Sequence, residues 1–192
     1  MNLDKHFWED KYLNNQTGWD IGHISPPLQA YFEQLPQKDL KILIPGCGNG
    51  YEAIWLAQNG FSNITVIDLA SAPLAHINAA VPNLIHTIQG DFFEQEGQFD
   101  LIIEQTFFSA LPPSLRKNYA AKMAELLKVN GLLAGLLFRI EFPFEGPPFG
   151  GTIDEYRALF APHFEILTLE TSNLSIKPRQ GNEVFLELRK KS

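Results

Sequence analysis

The distribution of apolar and polar positions changes character near residue 40. Before it, residues 4–15 and 26–35 carry weak helical periodicity on either side of the loop Gln16-Thr17-Gly18-Trp19-Asp20. The pair Pro26-Pro27 suits the first turn of the second helix, where no intrahelical N–H is needed. After residue 40, compact apolar runs alternate with helical spacing. Lys41–Ile44, Ile64–Ile67, Leu84–Ile88, Phe99–Ile103 and Leu132–Phe138 read as strands. Between them, Glu52–Asn59 (closed by Gly60), residues 72–80 and Pro113–Lys128 read as helices, and Val129-Asn130-Gly131 as a turn. The fourth strand is expected to run out into Glu104-Gln105-Thr106-Phe107-Phe108.

Strands that are apolar on both faces and alternate with helices imply an α/β fold, a mostly parallel sheet with helices on both faces. The end of the chain breaks this rhythm. Ile153–Phe160 reads as a helix, and Phe164–Leu169 and Glu183–Leu188 as strands around the polar loop 171–182. Two strands with no helix between them should pair antiparallel at the sheet edge, giving seven strands in all. A single domain over residues 1–192 is expected, with a Rossmann-like core from 40 to 192 behind the N-terminal segment 1–39.

Composition narrows the class. Hydrophobic residues make up 45% and charged residues 19%, ordinary for a globular protein. Net charge is −7, with 22 acidic and 15 basic residues, and the only basic cluster is Arg189-Lys190-Lys191. A surface that grips phosphates needs the opposite balance, so no nucleic-acid partner is expected. One cysteine, Cys47, allows no internal disulfide. The polar stretch Met1–Asp10 lacks the apolar core of a signal peptide, and no run reaches membrane-span length. A cytoplasmic monomer without membrane attachment is the expectation. The five histidines show no metal-ligand spacing, so no metal is expected.

Chemistry concentrates where the strands end. Ile42–Ile44 leads into Pro45-Gly46-Cys47-Gly48-Asn49-Gly50, a strand–glycine turn–helix unit whose backbone N–H groups can meet a ligand carboxylate. Asp68 closes the second strand twenty residues past Gly48, where an acid can accept from both ribose hydroxyls. Gly90-Asp91-Phe92 follows the third strand; Asp91 can accept from an adenine amino group while Phe92 contacts the ring. Tyr51 stands where a dinucleotide fingerprint has its third glycine, which favours S-adenosylmethionine over NAD. The Asn/Asp-Pro-Pro-aromatic signature of enzymes that methylate base amines is absent after the fourth strand.

Taken together, these residues resemble the thiopurine methyltransferase superfamily, which includes the halide and thiol methyltransferases. The resemblance runs over nearly the whole chain. It is carried by Gly18-Trp-Asp-Ile-Gly22, Leu43-Ile-Pro-Gly-Cys-Gly-Asn-Gly50, Asp100-Leu-Ile, Phe107-Phe108 and Gly146-Pro-Pro-Phe149, with Ile44 where many other methyltransferases have an acid. It implies a class I S-adenosylmethionine-dependent methyltransferase that leaves S-adenosylhomocysteine as product. It also implies that segment 1–39 is a lid, with Trp8, Tyr12 and Trp19 over the cofactor. Gly46, with Cys47 and Gly48, would meet the methionyl part, Asp68 with Leu69 the ribose, and Asp91 and Phe92 the adenine. Gln105 falls where thiopurine enzymes have Arg and plant halide/thiol enzymes Tyr; it counts both as a cofactor contact and as an acceptor-site candidate.

The acceptor is expected to be a small soft nucleophile, a thiol first, with Gln105, Phe108, Arg139 and Phe149 as candidate contacts. No essential catalytic residue is expected, because a sulfonium methyl is already activated and alignment does most of the work. The loop Glu141–Gly151 is too rich in Pro and Gly for helix or strand, and reads equally as a mobile flap or as a packed connection. An oxygen, nitrogen or metalloid acceptor, and a non-catalytic module that binds the cofactor, stay open as alternatives. For Trp8, Tyr12 and Trp19 the alternative is plain core packing by an amphipathic helix.

Overall fold

A computed structural model describes residues 3–192. It divides into two compact units, the first ending at Gln95 and the second running from Glu96 to Ser192.

In the first unit, α1 (Lys5–Leu13) is capped by Asp4, whose carboxylate accepts from the Phe7 N–H at 3.1 Å. None of its residues is fully buried; Trp8 and Tyr12 are half-buried. The next helix, α2 (Pro26–Glu33), buries Pro27, Leu28 and Phe32. Then β1 (Ile42–Pro45), α3 (Tyr51–Gln58), β2 (Ile64–Asp68), α4 (Ser71–Ala80) and β3 (His86–Gln89) alternate as expected. The strands lie parallel in the order β3-β2-β1, with Pro45 level with Ile67 and Asp68 level with Gln89. Strand β1 is buried along its whole length, as a strand covered on both faces should be. The third strand starts two residues later than its apolar run suggested. Leu84 donates its N–H to Val81 O at 3.3 Å and stays 55% exposed, so it closes a turn instead of joining the sheet.

The second unit contains β4 (Phe99–Gln105), α5 (Phe107–Ala110), α6 (Arg116–Leu126), β5 (Leu127–Phe138), α7 (Ile153–Phe160), β6 (Phe164–Thr171) and β7 (Glu183–Lys190). Its strand order is β4-β5-β7-β6. Strands β4 and β5 are parallel, while β7 is antiparallel to both β5 and β6, which forms the expected C-terminal hairpin. The fold is therefore α/β, seven strands of a mostly parallel, mixed sheet with helices around it.

Three expectations are corrected here. The helix expected over Pro113–Lys128 is a 3-10 turn at Pro113–Leu115 followed by α6, and Leu127 already belongs to β5. Val129–Gly131 does not precede the fifth strand but lies within it. Phe99 pairs with Leu127 and Leu101 with Leu132, so the extra residues bulge out, with Asn130 at φ 63°. The run expected to end β4 also bends earlier. Thr106 takes φ 62° and Phe107–Ala110 coil into α5, a helix too short to leave a periodic signature.

The core of the second unit is aromatic. Phe108, Tyr119, Tyr156 and Phe160 are each 1% exposed or less, with Phe108 5.0 Å from Tyr119 and 5.6 Å from Tyr156, both edge-on. Helix α7 is fixed by a capping box in which Thr152 and Glu155 each satisfy the other's backbone N–H. Between β4 and β5 the chains are too close for a side chain at Gly135, where a Cβ would collide with the Glu104 backbone.

Candidate functional site

Parallel register brings the ends of β1, β2 and β3 level, and with them the glycine turn, Asp68 and Gly90-Asp91. Gly46, Gly48 and Gly50 all take positive φ, 54°, 53° and 70°, which L side chains rarely adopt. At Gly48 a Cβ would stand 3.4 Å from the Tyr12 hydroxyl, so the missing side chain leaves room between the loop and α1. Asp68 ties this turn together: one carboxylate oxygen accepts from Gly48 N–H at 3.1 Å and the other from Ala70 N–H at 2.9 Å. Burial raises the Asp68 carboxyl above its usual range, while the Ala70 and Gly48 N–H groups pull it back.

Trp8 and Tyr12 are one helical turn apart on α1, and both meet Trp19 edge-on, at 5.6 and 5.8 Å between ring centroids. All three are half-buried. Burial beside Asp68 pushes the Tyr12 hydroxyl far up, and it pushes up the Cys47 thiol as well, so neither offers an anion. Asp91 is exposed and caps a 3-10 turn by accepting from Phe93 N–H at 2.9 Å; Phe92 is 4% exposed. Leu69 offers its carbonyl to Gln89 Nε2 at 3.1 Å.

Three groups at this edge were missed from the sequence. Asp20 accepts from Asn49 Nδ2 and from Tyr51 Oη (3.2 Å), and so pins the Gly18-Trp19-Asp20 loop to the glycine turn. Glu9 accepts from Ser71 N–H at 2.7 Å. Buried Glu52 accepts from Ser25 N–H at 3.0 Å, anchoring the entry to α2. A contact spanning 27 to 62 residues of chain leaves no local periodicity, so nothing nearby marked these acids as structural.

The arrangement suits one kind of ligand. Asp20 and Asp68 put two carboxylates against the glycine turn, Glu9 adds a third at the start of α4, and the aromatic faces of Trp8, Tyr12 and Trp19 add partial negative charge. A pyrophosphate would be repelled there, whereas a sulfonium with an ammonium beside it would be attracted. Within the glycine turn, Gly46, Gly48 and Gly50 donate their own N–H groups to Ile67 O, Asp68 and Cys47 O, which fixes the shape of the loop against which the ligand would lie. The residues present thus fit S-adenosylmethionine.

Gln105, Phe108, Arg139 and Phe149 all fall in the second unit. Gln105 ends β4, and its side-chain oxygen is buried without a hydrogen-bond partner. Arg139 and Phe149 line a cavity of about 780 Å³ together with Ile140, Phe142 and Phe144. Phe108 is not part of that wall: at 1% exposure it belongs to the core. The C-terminal end of the loop 141–151 is tied down, with Phe149 N–H donating to Ser109 O at 2.7 Å and Arg116 Nη2 to Gly150 O at 2.6 Å. Its phenylalanines are not packed inward: Phe144 is 53% exposed, and Phe142 and Phe149 are half-buried. Arg139 is itself exposed and donates to Thr171 Oγ1 at 2.8 Å.

A further buried acid escaped the sequence reading. Glu104 is fully buried at the end of β4; it accepts from Tyr119 Oη at 2.5 Å and from Phe108 N–H at 3.0 Å, and so holds the turn that presents Gln105. Burial raises its carboxyl to about 7 against these hydrogen bonds. Among the described residues, no group of three or more His, Cys, Asp or Glu could hold a metal, and no helix is long and apolar enough to cross a membrane.

Comparison with known proteins agrees with this chemistry. The family model for thiopurine S-methyltransferase matches residues 3–191. A probable thiol methyltransferase 2 of Arabidopsis thaliana is 30% identical, over 96% of this chain and 85% of that protein. A thiopurine S-methyltransferase of Vibrio parahaemolyticus is 28% identical over 82% of each. In fold, the chain resembles the Burkholderia thailandensis 1,6-didemethyltoxoflavin-N1-methyltransferase, solved with S-adenosylhomocysteine (TM-score 0.79, 18% identity, 98% of this chain and 87% of that one). The chain belongs to the thiopurine S-methyltransferase family and is an S-adenosylmethionine-dependent methyltransferase.

Proposed function

We propose that this methyltransferase passes the methyl group of S-adenosylmethionine to a small thiol. The observation that carries the cofactor half is the ring of carboxylates and aromatic faces around the glycine turn, a setting for a cation rather than for a pyrophosphate. In this reading Gly46, Cys47 and Gly48 receive the methionyl carboxylate, Asp68 and Leu69 the ribose, and Asp91 and Phe92 the adenine. Trp8, Tyr12 and Trp19 lie against the sulfonium. The thiol is supported by the kinship with a protein named as a thiol methyltransferase, and by the apolar residues Ile140, Phe142 and Phe149 in a cavity lining that also holds Glu141, Glu145, Asp154 and Glu155. Gln105 and Arg139 are the polar contacts proposed for the acceptor; Phe108 supports them from the core.

The bound cofactor supplies an electrophilic carbon with a neutral thioether as leaving group. A thiolate attacking in line needs alignment more than a base, and no residue is assigned the role of proton acceptor. The chain is further proposed to act as one domain and as a monomer, in the cytoplasm, with no nucleic acid as substrate; the net charge of −7 supports the last point. Incubation of the protein with methyl-labelled S-adenosylmethionine and a panel of thiols, halides and amines tests the reading. Labelled methyl thioethers are expected. Binding of the cofactor with no transfer to any thiol would overturn it.

A further inference from the structure

Helix α1 has nine residues, none of them buried, so it has little to hold it in place. A helix this short is marginal by itself in water. Its attachments include the edge-on contacts of Trp8 and Tyr12 with Trp19, and the carboxylate of Glu9, which reaches the start of α4. There it accepts from the N–H of Ser71, the first residue of α4, at 2.7 Å, and it stands 3.5 Å from Gln89 Nε2 at the end of β3. Gln89 in turn donates to Leu69 O, and Asp68 accepts from Ala70 N–H, so the whole turn Asp68–Ser71 is gripped from both sides. The Ser71 N–H also holds the Glu9 carboxyl below the usual carboxylate range, consistent with a charged acceptor in place.

We infer that Glu9 is a positioning residue: it clamps the aromatic strap of α1 onto the turn Asp68–Ser71 and thereby slows release of the cofactor. The inference rests on the reading that this edge binds S-adenosylmethionine. Glu9 does not touch the reacting atoms. It acts by keeping Trp8 and Tyr12 over the glycine turn, and the turn itself in shape, once the ligand is bound. Loss of the clamp should therefore appear in dissociation, because encounter with an open strap needs no clamp.

The test uses S-adenosylhomocysteine as probe and the full-length protein, with wild type, Glu9→Gln and Glu9→Ala compared by stopped-flow tryptophan fluorescence. Chasing bound S-adenosylhomocysteine should show dissociation about fivefold faster in Glu9→Ala, the order expected for one charge-assisted hydrogen bond in a half-exposed place. Glu9→Gln, which keeps a neutral acceptor, should fall between. Association should stay within twofold, and acrylamide should quench the tryptophans more readily in Glu9→Ala. A purely structural role would instead lower the melting temperature of the ligand-free protein and slow association. Dissociation from Glu9→Ala within twofold of wild type, or a loss of affinity carried by association, would overturn the inference. Absence of binding to the wild-type protein would count against the cofactor reading instead.

Discussion

Replacing Glu104 with glutamine removes a charge that the fold resists. The side chain is fully buried, and burial raises its carboxyl from the ordinary 4.5 to about 7. Between these two values the unfolded chain has released the proton while the native chain still holds it. Native protein thus binds more protons, and stability falls as pH rises through this window. Taking those two values, the loss between pH 5 and pH 8 is roughly 2–3 kcal/mol. Glutamine keeps an acceptor for Phe108 N–H and a polar partner for Tyr119 Oη but carries no proton to lose. Urea unfolding followed by circular dichroism should therefore place Glu104→Gln close to wild type at pH 5 and clearly above it at pH 8. The difference between the two proteins isolates this residue, since all other titrating groups are common to both. A difference that does not change with pH would refute the reasoning. It would mean that the carboxylate is as well solvated in the native state as in the unfolded one.

Phe108→Ala removes the ring that Tyr119, Tyr156 and Phe160 pack around and should cost about 3–5 kcal/mol in the same urea assay; a loss under about 1 kcal/mol would place Phe108 outside the core. Thr152→Ala breaks the capping box of α7 and should cost about 0.5–2 kcal/mol, with no change in cofactor affinity by calorimetry. Gly50→Ala forces a side chain into φ 70° and against Ile77, so a melting temperature lowered by several degrees is expected, and an unchanged one would contradict the close approach of α3 and α4.

The alternation of strands and helices was legible because β1, β2 and β4 are short, apolar and buried on both faces, and because glycines mark several of the turns that follow. Even the antiparallel ending could be read, since the stretch between Thr171 and Glu183 is polar and holds no more than a 3-10 turn at Lys177–Arg179. The errors came where tertiary geometry overrides local pattern. Leu84 is apolar but spends its N–H on a turn, and Asn130-Gly131 bulges inside β5 because Phe99 and Leu101 fix the register on either side. Within the candidate site, Gly48 and Asp68 were legible as a pair from their spacing, and the structure joins them by a hydrogen bond. Glu9 and Asp20 were not, since their partners lie 62 and 29 residues away and each looks like an ordinary surface acid. Glu104 sits inside an apolar run, which is itself a sign of a buried charge; only the partners, Tyr119 and Phe108 N–H, explain how it is tolerated there.

The central claim is that the edge formed by β1, β2 and β3 binds S-adenosylmethionine through Asp68 and the glycine turn. Isothermal titration calorimetry of wild type and Asp68→Ala with S-adenosylmethionine tests it most directly. Saturable binding to wild type that weakens by about 1–3 kcal/mol in the variant, the usual loss for a hydrogen bond to a charged group, is the predicted result. Binding of equal strength in both proteins would place the cofactor elsewhere, and absence of heat with wild type, together with no competition by S-adenosylhomocysteine, would contradict the account at its root.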